Sequence, residues 1–318
     1  MNTQQLRLIA IVVAVLVAAW GASELFAHRS DTTAAAFALP RVSARAADSA
    51  TIWREGDTVR FVRHDSTWVV NGQPAATAAV TELFDALRDT VKPDLAAESP
   101  SSFARMGVDS AGGHLLRVLV GPATTIHLVV GAQAPTGDAA YVRVPGDTRT
   151  YLWPGRLGAL VQRHVDDWRD RQVLALVPDS IGAIEITRGR DRVALRRRGT
   201  HWTFENGRPA DSAAVAGLLD RFRSVSAAGF ASAHQADSLR FDHPRRRVVV
   251  RTAAGRELAT LAFDSMPSGY FTRAGTGGVV YRLDFWQADA LTPLATALGA
   301  PAPPTPTPKP KPARPASR

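Results

Sequence analysis

Histidine, carboxylate and cysteine side chains are the residue types that most often carry out catalysis or bind metals. The chain has eight histidines, and none stands at ligand spacing from another. It has no cysteine, which excludes thiolate metal sites, cysteine nucleophiles and disulfide bonds. The sequence also lacks a Gly-rich phosphate loop, a zinc-protease helix and a nucleophile elbow. We therefore predict no catalytic residue, no metal site and no cofactor.

Arginine is the residue type with the most uneven distribution along the chain. Lysine and arginine number seven against nine aspartates and glutamates over residues 52–130, but fifteen against eight over residues 184–260. The excess of arginine in the second stretch has either a functional cause or a compositional one. In a chain with 35 arginines and three lysines, arginine occurs on solvent-exposed strands without any functional reason. Two runs are predicted to form a basic face for an acidic protein surface or an anionic lipid or polymer: Arg196, Arg197, Arg198, Arg245, Arg246 and Arg247.

The sequence contains one stretch twice, at residues 68–88 and 202–223. This repeat is the first indication of the secondary-structure elements that position the residues above. With Asn71 aligned to Asn206, ten of eighteen positions are identical through Arg88 and Arg223. Self-similarity at a fixed spacing indicates a duplicated unit, here one of domain size. The matched positions that we expect to anchor each unit are Trp68, Asn71, Gly72 and Pro74 in the first copy and Trp202, Asn206, Gly207 and Pro209 in the second.

The matched tryptophans end short predicted strands, where such residues serve either as core anchors or as stacking platforms for sugars or bases. We favour the core, because an apolar helix follows each tryptophan. The Asn-Gly pair supplies a turn that tolerates positive φ. The helices have apolar residues at i, i+3, i+4 and i+7, which predicts one stripe packed against a sheet: Val80, Leu83, Phe84 and Leu87, and Val215, Leu218, Leu219 and Phe222.

Local polar signals belong to the same two helices. Thr77 and the Asp211-Ser212 pair are the predicted N-caps. Asp85 and Asp220 each precede an arginine by three residues, which is the spacing of an intrahelical ion pair.

Alternating apolar residues predict further strands in each copy. The hairpin-like spacing between them favours mainly antiparallel sheet. A closing helix is predicted over residues 155–167 and 285–297. The predicted fold class is α+β: two tandem homologous units of mainly antiparallel sheet with packed helices, over residues 48–168 and 169–299.

Residues 6–26 form an apolar segment that is long enough to cross a bilayer as one helix. Bulky Leu25 stands where signal-peptide cleavage favours a small residue, so we predict an uncleaved transmembrane anchor, with a cleavable signal peptide as the alternative. Residues 27–47 are the predicted linker. A short N-terminal tail before one apolar segment is typical of a signal anchor. We therefore expect a single-pass inner (cytoplasmic) membrane protein with its bulk extracytoplasmic, a location that argues against nucleic acid as a partner.

Residues 300–318 alternate proline with small and basic residues. This composition favours an extended polyproline II conformation and has too little apolar surface to pack, so we predict a disordered tail. The tail is either a solvated end or a stiff basic arm that reaches toward anionic envelope polymers.

Two motifs resemble the family called domain of unknown function 4340. One is Trp68 with Asn71-Gly72-Gln73-Pro74-Ala75 and the following helix; the other is the junction at residues 167–174, followed by Ile184-Glu185-Ile186. The resemblance covers roughly residues 48–298. It implies an N-terminal membrane helix, tandem α+β units outside the cytoplasm and association with ABC-type transporters of the gliding-motility kind. It carries over no catalytic residue, because the family has none assigned.

These expectations favour a non-enzymatic accessory protein of an ABC-type envelope transport system that acts by protein–protein contacts. The alternative is a binding module for anionic envelope polymer, such as cell-wall glycan or lipopolysaccharide. A third hypothesis, an enzyme that acts on envelope glycan, stays open because the distance between two carboxylates cannot be read from a sequence.

Overall fold

The computed structural model describes residues 37, 39–88, 92–135, 137–275 and 277–299. The chain divides between Asp170 and Arg171 into two compact units. The segments predicted as a membrane anchor, residues 6–26, and as a tail, residues 300–318, lie outside the described residues. Among the residues that are described, no helix combines the length and the apolar character that spanning a membrane requires.

The first unit is built on one antiparallel sheet. Its strands pair in the order β4-β3-β2-β1-β6-β7-β8-β9-β5. The first four strands therefore form a meander, and β6 returns beside β1 to start a second meander. The strands are β1 (Ser49–Arg54), β2 (Asp57–His64), β3 (Thr67–Val70), β4 (Gln73–Pro74), β5 (Asp94–Ala97), β6 (His114–Val120), β7 (Ala123–Gln133), β8 (Ala139–Arg143) and β9 (Thr150–Pro154).

Three of the four helices of the first unit pack on one face of this sheet. Alternate strand residues point to that face, where Ile52, Phe61 and Val118 are buried together with Leu83 and Leu160 from the helices. The fourth helix contains Met106 and packs on the opposite face, against Leu115 and Val129. The helices are Thr77–Ala86, Phe103–Met106, Leu157–Val161 and Val165–Trp168, with a 3-10 turn at Pro100–Ser102.

The second unit contains a sheet with strand order β13-β12-β11-β16-β17-β18-β19-β15 and a separate pair, β10-β14. The order repeats that of the first unit, with β11 in the place of β1 and β16 in the place of β6. The strands are β10 (Gln172–Leu174), β11 (Ala183–Arg188), β12 (Asp191–Arg198), β13 (His201–Phe204), β14 (Val225–Ser226), β15 (Gly229–Phe230), β16 (Arg246–Arg251), β17 (Glu257–Met266), β18 (Gly269–Ala274) and β19 (Tyr281–Leu283).

The core of the second unit has the same construction. Ile184, Val193 and Val248 of the sheet are buried with Leu218 and Phe222 of the long helix. The helices are Ser212–Arg223, Ala233–Ser238, Phe285–Leu291 and Ala295–Leu298, with a 3-10 turn at Pro178–Ser180. Mainly antiparallel sheets with a few packed helices confirm the predicted α+β class.

Two local predictions differ from the structure, and a third agrees with it. The predicted closing helices are each two short helices. In the second unit Pro293 follows Thr292, whose backbone leaves the helical region and ends the first of them. Asp211 caps its helix by accepting a hydrogen bond from the Ala214 N–H at 2.8 Å, as predicted. Thr77 is not the cap of the first-unit helix, because Ala76 takes that position without a side-chain bond.

Part of the predicted linker belongs to the first core. Val42 and Ala47 are buried among the strand residues. The Phe37 ring stacks on Tyr151 with the ring centroids 4.6 Å apart. Apolar residues before β1 therefore pack against the first unit. Local composition alone predicted only a linker there.

Candidate functional site

The two repeat tryptophans are core residues. Trp68 and Trp202 each expose only 6% of their surface. The Trp68 ring lies 5.6 Å from that of Phe84, which stands on the following helix. The interpretation of the tryptophans as core anchors is confirmed, because so little ring surface is left for a sugar or a base.

The asparagines of the repeat act differently in the two turns. Asn71 takes a positive φ of 46°, as does Gly72 at 78°. The Asn71 side chain accepts a bond from the Arg60 N–H at 2.8 Å and donates to the Thr58 carbonyl at 2.9 Å, which ties the turn to β2. The second turn is one residue longer, measured from the tryptophan to the asparagine. Its asparagine, Asn206, accepts a bond from the Arg208 N–H at 3.1 Å within the turn.

The remaining repeat anchors are turn and strand-end residues. Pro74 lies in the short edge strand β4, where a missing N–H is tolerated. Pro209 forms an isolated bridge with Thr203. Gly207 has a φ of 81°, which favours glycine.

The matched aspartates form the predicted helical ion pairs. The Arg88–Asp85 and Arg223–Asp220 distances are both 3.1 Å. All four side chains are about half exposed or more, so each pair contributes only a few tenths of a kcal/mol. These carboxylates have a structural role on the helix surface.

The two arginine runs lie at opposite ends of the second sheet. Arg196 pairs with Ala183, at the start of β11, while Arg246 pairs with Arg188, at its end. Five residues of an antiparallel strand span about 17 Å. The runs therefore do not form one basic patch.

Arg246 is a buried residue, which corrects its assignment to an exposed basic face. Only 7% of it is exposed. Its guanidinium lies 2.6 Å from an Asp289 oxygen, donates to the Thr292 hydroxyl at 2.8 Å and stands over the Tyr270 ring. The sequence has no signal for this position, because three arginines precede three valines and Val249 is buried as well as Val248 and Val250.

Partners also compensate other arginines of the predicted face. Arg245 lies 3.2 Å from Asp264, and Arg197 lies 4.0 Å from Asp179. Within the part of the chain that is described, three of the six arginines are exposed and form no ion pair: Arg196, Arg198 and Arg247. Register places these three on the face of the sheet opposite the core.

The same face of the second sheet carries a carboxylate. Glu185 lies 3.0 Å from Arg192 and 3.4 Å from Arg251. The hydrogen bond from Arg192 holds the pKa of the Glu185 carboxyl below its usual value. Glu185 therefore offsets part of the positive charge at the centre of this face.

A concave site lies on the corresponding face of the first sheet. Ile52, Leu116 and Leu128 stand side by side on β1, β6 and β7 and point into the core. Their neighbours in sequence point the other way. Trp53, Arg117 and His127 thus line a cavity of about 810 Å³ together with residues of the loop after Val108.

The polar groups of this cleft are incompletely satisfied. The Arg117 guanidinium carbon lies 5.0 Å from the centre of the Trp53 ring. The buried Nε of Arg117 and the buried Nε2 of His127 have no hydrogen-bond partner among the described residues. Burial, followed by the charge of Arg117, lowers the pKa of His127. An imidazole with a lowered pKa is neutral at pH 7 and has one N–H to donate.

Arg143 also lines the cleft but is held by the fold. It donates to the Val108 carbonyl from Nε at 3.1 Å and from Nη2 at 2.9 Å. Its guanidinium stacks on the Phe103 ring at 4.4 Å. Asp109, another residue of the cleft wall, accepts a hydrogen bond from the Gly112 N–H at 2.8 Å. These contacts order the loop that forms one wall of the cleft.

The sequence did not single out this cleft. Arg117 and His127 meet because a β-bulge shifts the β6–β7 register beyond Val118. If the register in which Leu119 pairs with Thr124 continued along β6, Arg117 would pair with the core residue Ile126 and not with His127. Alternation alone places both side chains outside the core, but the bulge decides that they are neighbours.

Within the described ranges, no group of three histidine, aspartate or glutamate side chains is arranged to hold a metal ion. Comparisons with curated proteins and with solved structures find no match. The fold defines an α+β protein with two units of mainly antiparallel sheet. The model of one family, Domain of unknown function (DUF4340), matches residues 68–244, which is more than half of the chain. The protein belongs to this family.

Proposed function

We propose that this protein is a non-enzymatic, membrane-anchored extracytoplasmic accessory component of an ABC-type envelope transport system. It acts through protein–protein contacts. Residues 6–26 are its anchor in the inner membrane, and the two units are copies of one ancestral domain. The family resemblance supports the transporter as the partner, and the docking surface is on the second unit.

One observation carries the docking surface. Arg196 and Arg198, at one end of the second sheet, are exposed on the face opposite the core, and no described carboxylate pairs with them. Arg247 is exposed on the same face, toward the other end of the sheet. Short side chains such as Ala194 and Thr187 lie on the same face. Arginine is enriched at protein interfaces, because its planar fork binds carboxylates in two-point contacts. An acidic surface of a transporter subunit has the complementary chemistry.

The test is cross-linking in native membranes, followed by extraction, pull-down through a C-terminal tag and mass spectrometry. The Arg196→Glu, Arg198→Glu double variant should lose transporter subunits that the wild-type protein retains. The matched control is Arg208→Glu, Arg221→Glu. This control makes the same change of charge on the other side of the sheet. Arg208 is in the turn after β13, and Arg221 is on the helix Ser212–Arg223 that packs on the core face. The control variant should retain the subunits. Equal recovery with both double variants would contradict docking through this face.

The alternative function, binding of anionic envelope polymer, is favoured by the proline-rich tail with Lys309, Lys311, Arg314 and Arg318. Binding that rests on such charges weakens steeply with salt. Co-purification of glycan in place of a protein partner, lost on deletion of residues 300–318, would support it. Retention that is insensitive to salt and to this deletion would count against it.

A further inference from the structure

We propose that the cleft of the first unit, lined by Trp53, Arg117 and His127, binds the phosphate or carboxylate group of a small anionic ligand. This site lies in the first unit and is independent of the proposed docking face of the second. Failure of either proposal therefore leaves the other standing.

The second unit shows that the fold does not require these three residues. Its strands pair in the same order, and β17 has a bulge at the corresponding place, next to Arg251. Register therefore identifies the corresponding positions: Thr187 for Trp53, Val249 for Arg117 and Thr260 for His127. A threonine, a valine and a threonine form this surface equally well. The aromatic and basic set belongs to the first unit alone.

The charge balance of the two faces also differs. On the second sheet, Glu185 pairs with both Arg192 and Arg251. The corresponding residue of the first sheet is Thr51, which stands directly beside Arg117. No described carboxylate forms an ion pair with Arg117, and its Nε has no hydrogen-bond partner in the described chain. A partly buried guanidinium without a counter-charge is costly, and an anion that enters the cleft removes that cost.

The geometry fits an oxyanion. The Arg117 guanidinium carbon lies 5.0 Å from the centre of the Trp53 ring, and no hydrogen bond from its two terminal nitrogens to a described residue is present. Those nitrogens can make a two-point contact with phosphate or carboxylate oxygens. His127 stands opposite Arg117 on the next strand, and its imidazole lines the same cleft. All three residues are on strands, so the donors are positioned before a ligand arrives.

The charges of the cleft walls affect the orientation of the ligand. The cavity volume of about 810 Å³ is within the range of small-molecule sites. Glu55 and Asp109 also line it, so a ligand with two anionic ends is disfavoured there. A phosphorylated sugar or a sugar acid has one anionic group beside a polar ring and suits these walls.

The experiment is isothermal titration calorimetry of the full-length protein with three probes: inorganic phosphate, glucose 1-phosphate and glucuronate. Binding of at least one probe is expected. Arg117→Val, which introduces the residue of the corresponding position in the second unit, should weaken that binding by about tenfold or more, because it removes a charge-assisted two-point contact. The second variant, His127→Thr, also introduces the residue of the corresponding position in the second unit, Thr260. It should weaken binding too.

Arg60→Val is the matched control. Arg60 is exposed on the same face of the sheet, pairs with Thr51 and does not line the cleft. Unchanged affinity with this variant, together with loss in Arg117→Val, would support the site. Binding of phosphate and glucose 1-phosphate alone would assign a phosphate ligand, and binding of glucuronate alone a carboxylate. No binding of any probe, or equal weakening by Arg60→Val and Arg117→Val, would overturn the proposal.

Discussion

Adjacent arginines of β16 should respond very differently to substitution. Arg246→Ala removes a buried guanidinium with its contacts to Asp289, Thr292 and Tyr270. Arg247→Ala removes an exposed side chain that forms no ion pair among the described residues. The two variants make the same chemical change one position apart, which makes each the control of the other.

The contacts of Arg246 set the expected magnitude. A hydrogen bond to a charged group contributes about 1.5–3 kcal/mol, and a cation–π contact adds about 0.5–1 kcal/mol. The Asp289 side chain is 53% exposed, so water screens this pair and the lower values apply. We expect Arg246→Ala to lower the free energy of unfolding of the second unit by about 2 kcal/mol. Arg247→Ala should change it by less than about 0.5 kcal/mol.

The assay has to report on the second unit by itself, because a chain with two units need not unfold in one step. Hydrogen exchange of peptides from β16 and β17 gives the free energy of opening for that sheet. Equal protection in the two variants would refute the assignment of Arg246 as a structural residue. Asp289 supplies a further check, because Asp289→Ala combined with Arg246→Ala should destabilise by less than the sum of the single changes.

Three further predictions concern other parts of the fold. Trp202→Ala should lower the free energy of unfolding of the second unit by about 3 kcal/mol or more, measured by the same hydrogen exchange. A loss as small as that expected for Arg247→Ala would contradict the core position of Trp202. Hydrogen bonds from Arg149 lower the pKa of Asp147 from 3.8 to about 2. The pair therefore stabilises the first unit above about pH 4 and loses this effect as the pH falls toward 2, so the melting temperature of Asp147→Asn should fall less steeply over that range than that of the wild-type protein. Parallel acid slopes would disprove this. Gly131→Ala places a Cβ against the Met106 carbonyl oxygen, closer than van der Waals contact allows, and should lower the free energy of unfolding of the first unit by about 1–3 kcal/mol. A lower melting temperature would show this, and an unchanged one would show that the Met106 backbone moves aside.

Much of the local structure could be predicted from the sequence, because it depends on residues close together in the chain. The apolar stripe that includes Leu83 and Leu218, the cap at Asp211 and the ion pair of Asp220 with Arg223 all follow from spacings of a few residues. Matched tryptophans with matched helices also indicated the core. The α+β class followed from strand alternation and short connections.

The candidate sites were less accessible to sequence reasoning. Arg245, Arg246 and Arg247 have the same local sequence character, yet one is buried and another has a carboxylate partner. Asp289, which stands 43 positions after Arg246, reaches it only because the helix Phe285–Leu291 packs against the second sheet. The basic face predicted from charge counting was therefore too large, since a count of charges contains no information about their partners.

The sequence by itself determined the repeated pattern, the secondary structure near each copy, the lack of cysteine and the uneven distribution of arginine. Only the tertiary structure decided which polar residues meet. Strand register brings Arg117 beside His127 through a single bulge, and it brings Glu185 between two arginines in the other unit. Register joins residues that are far apart in the chain, and a shift of one residue turns each side chain to the opposite face. Composition and periodicity predict the strands, but the hydrogen bonds between strands determine the site.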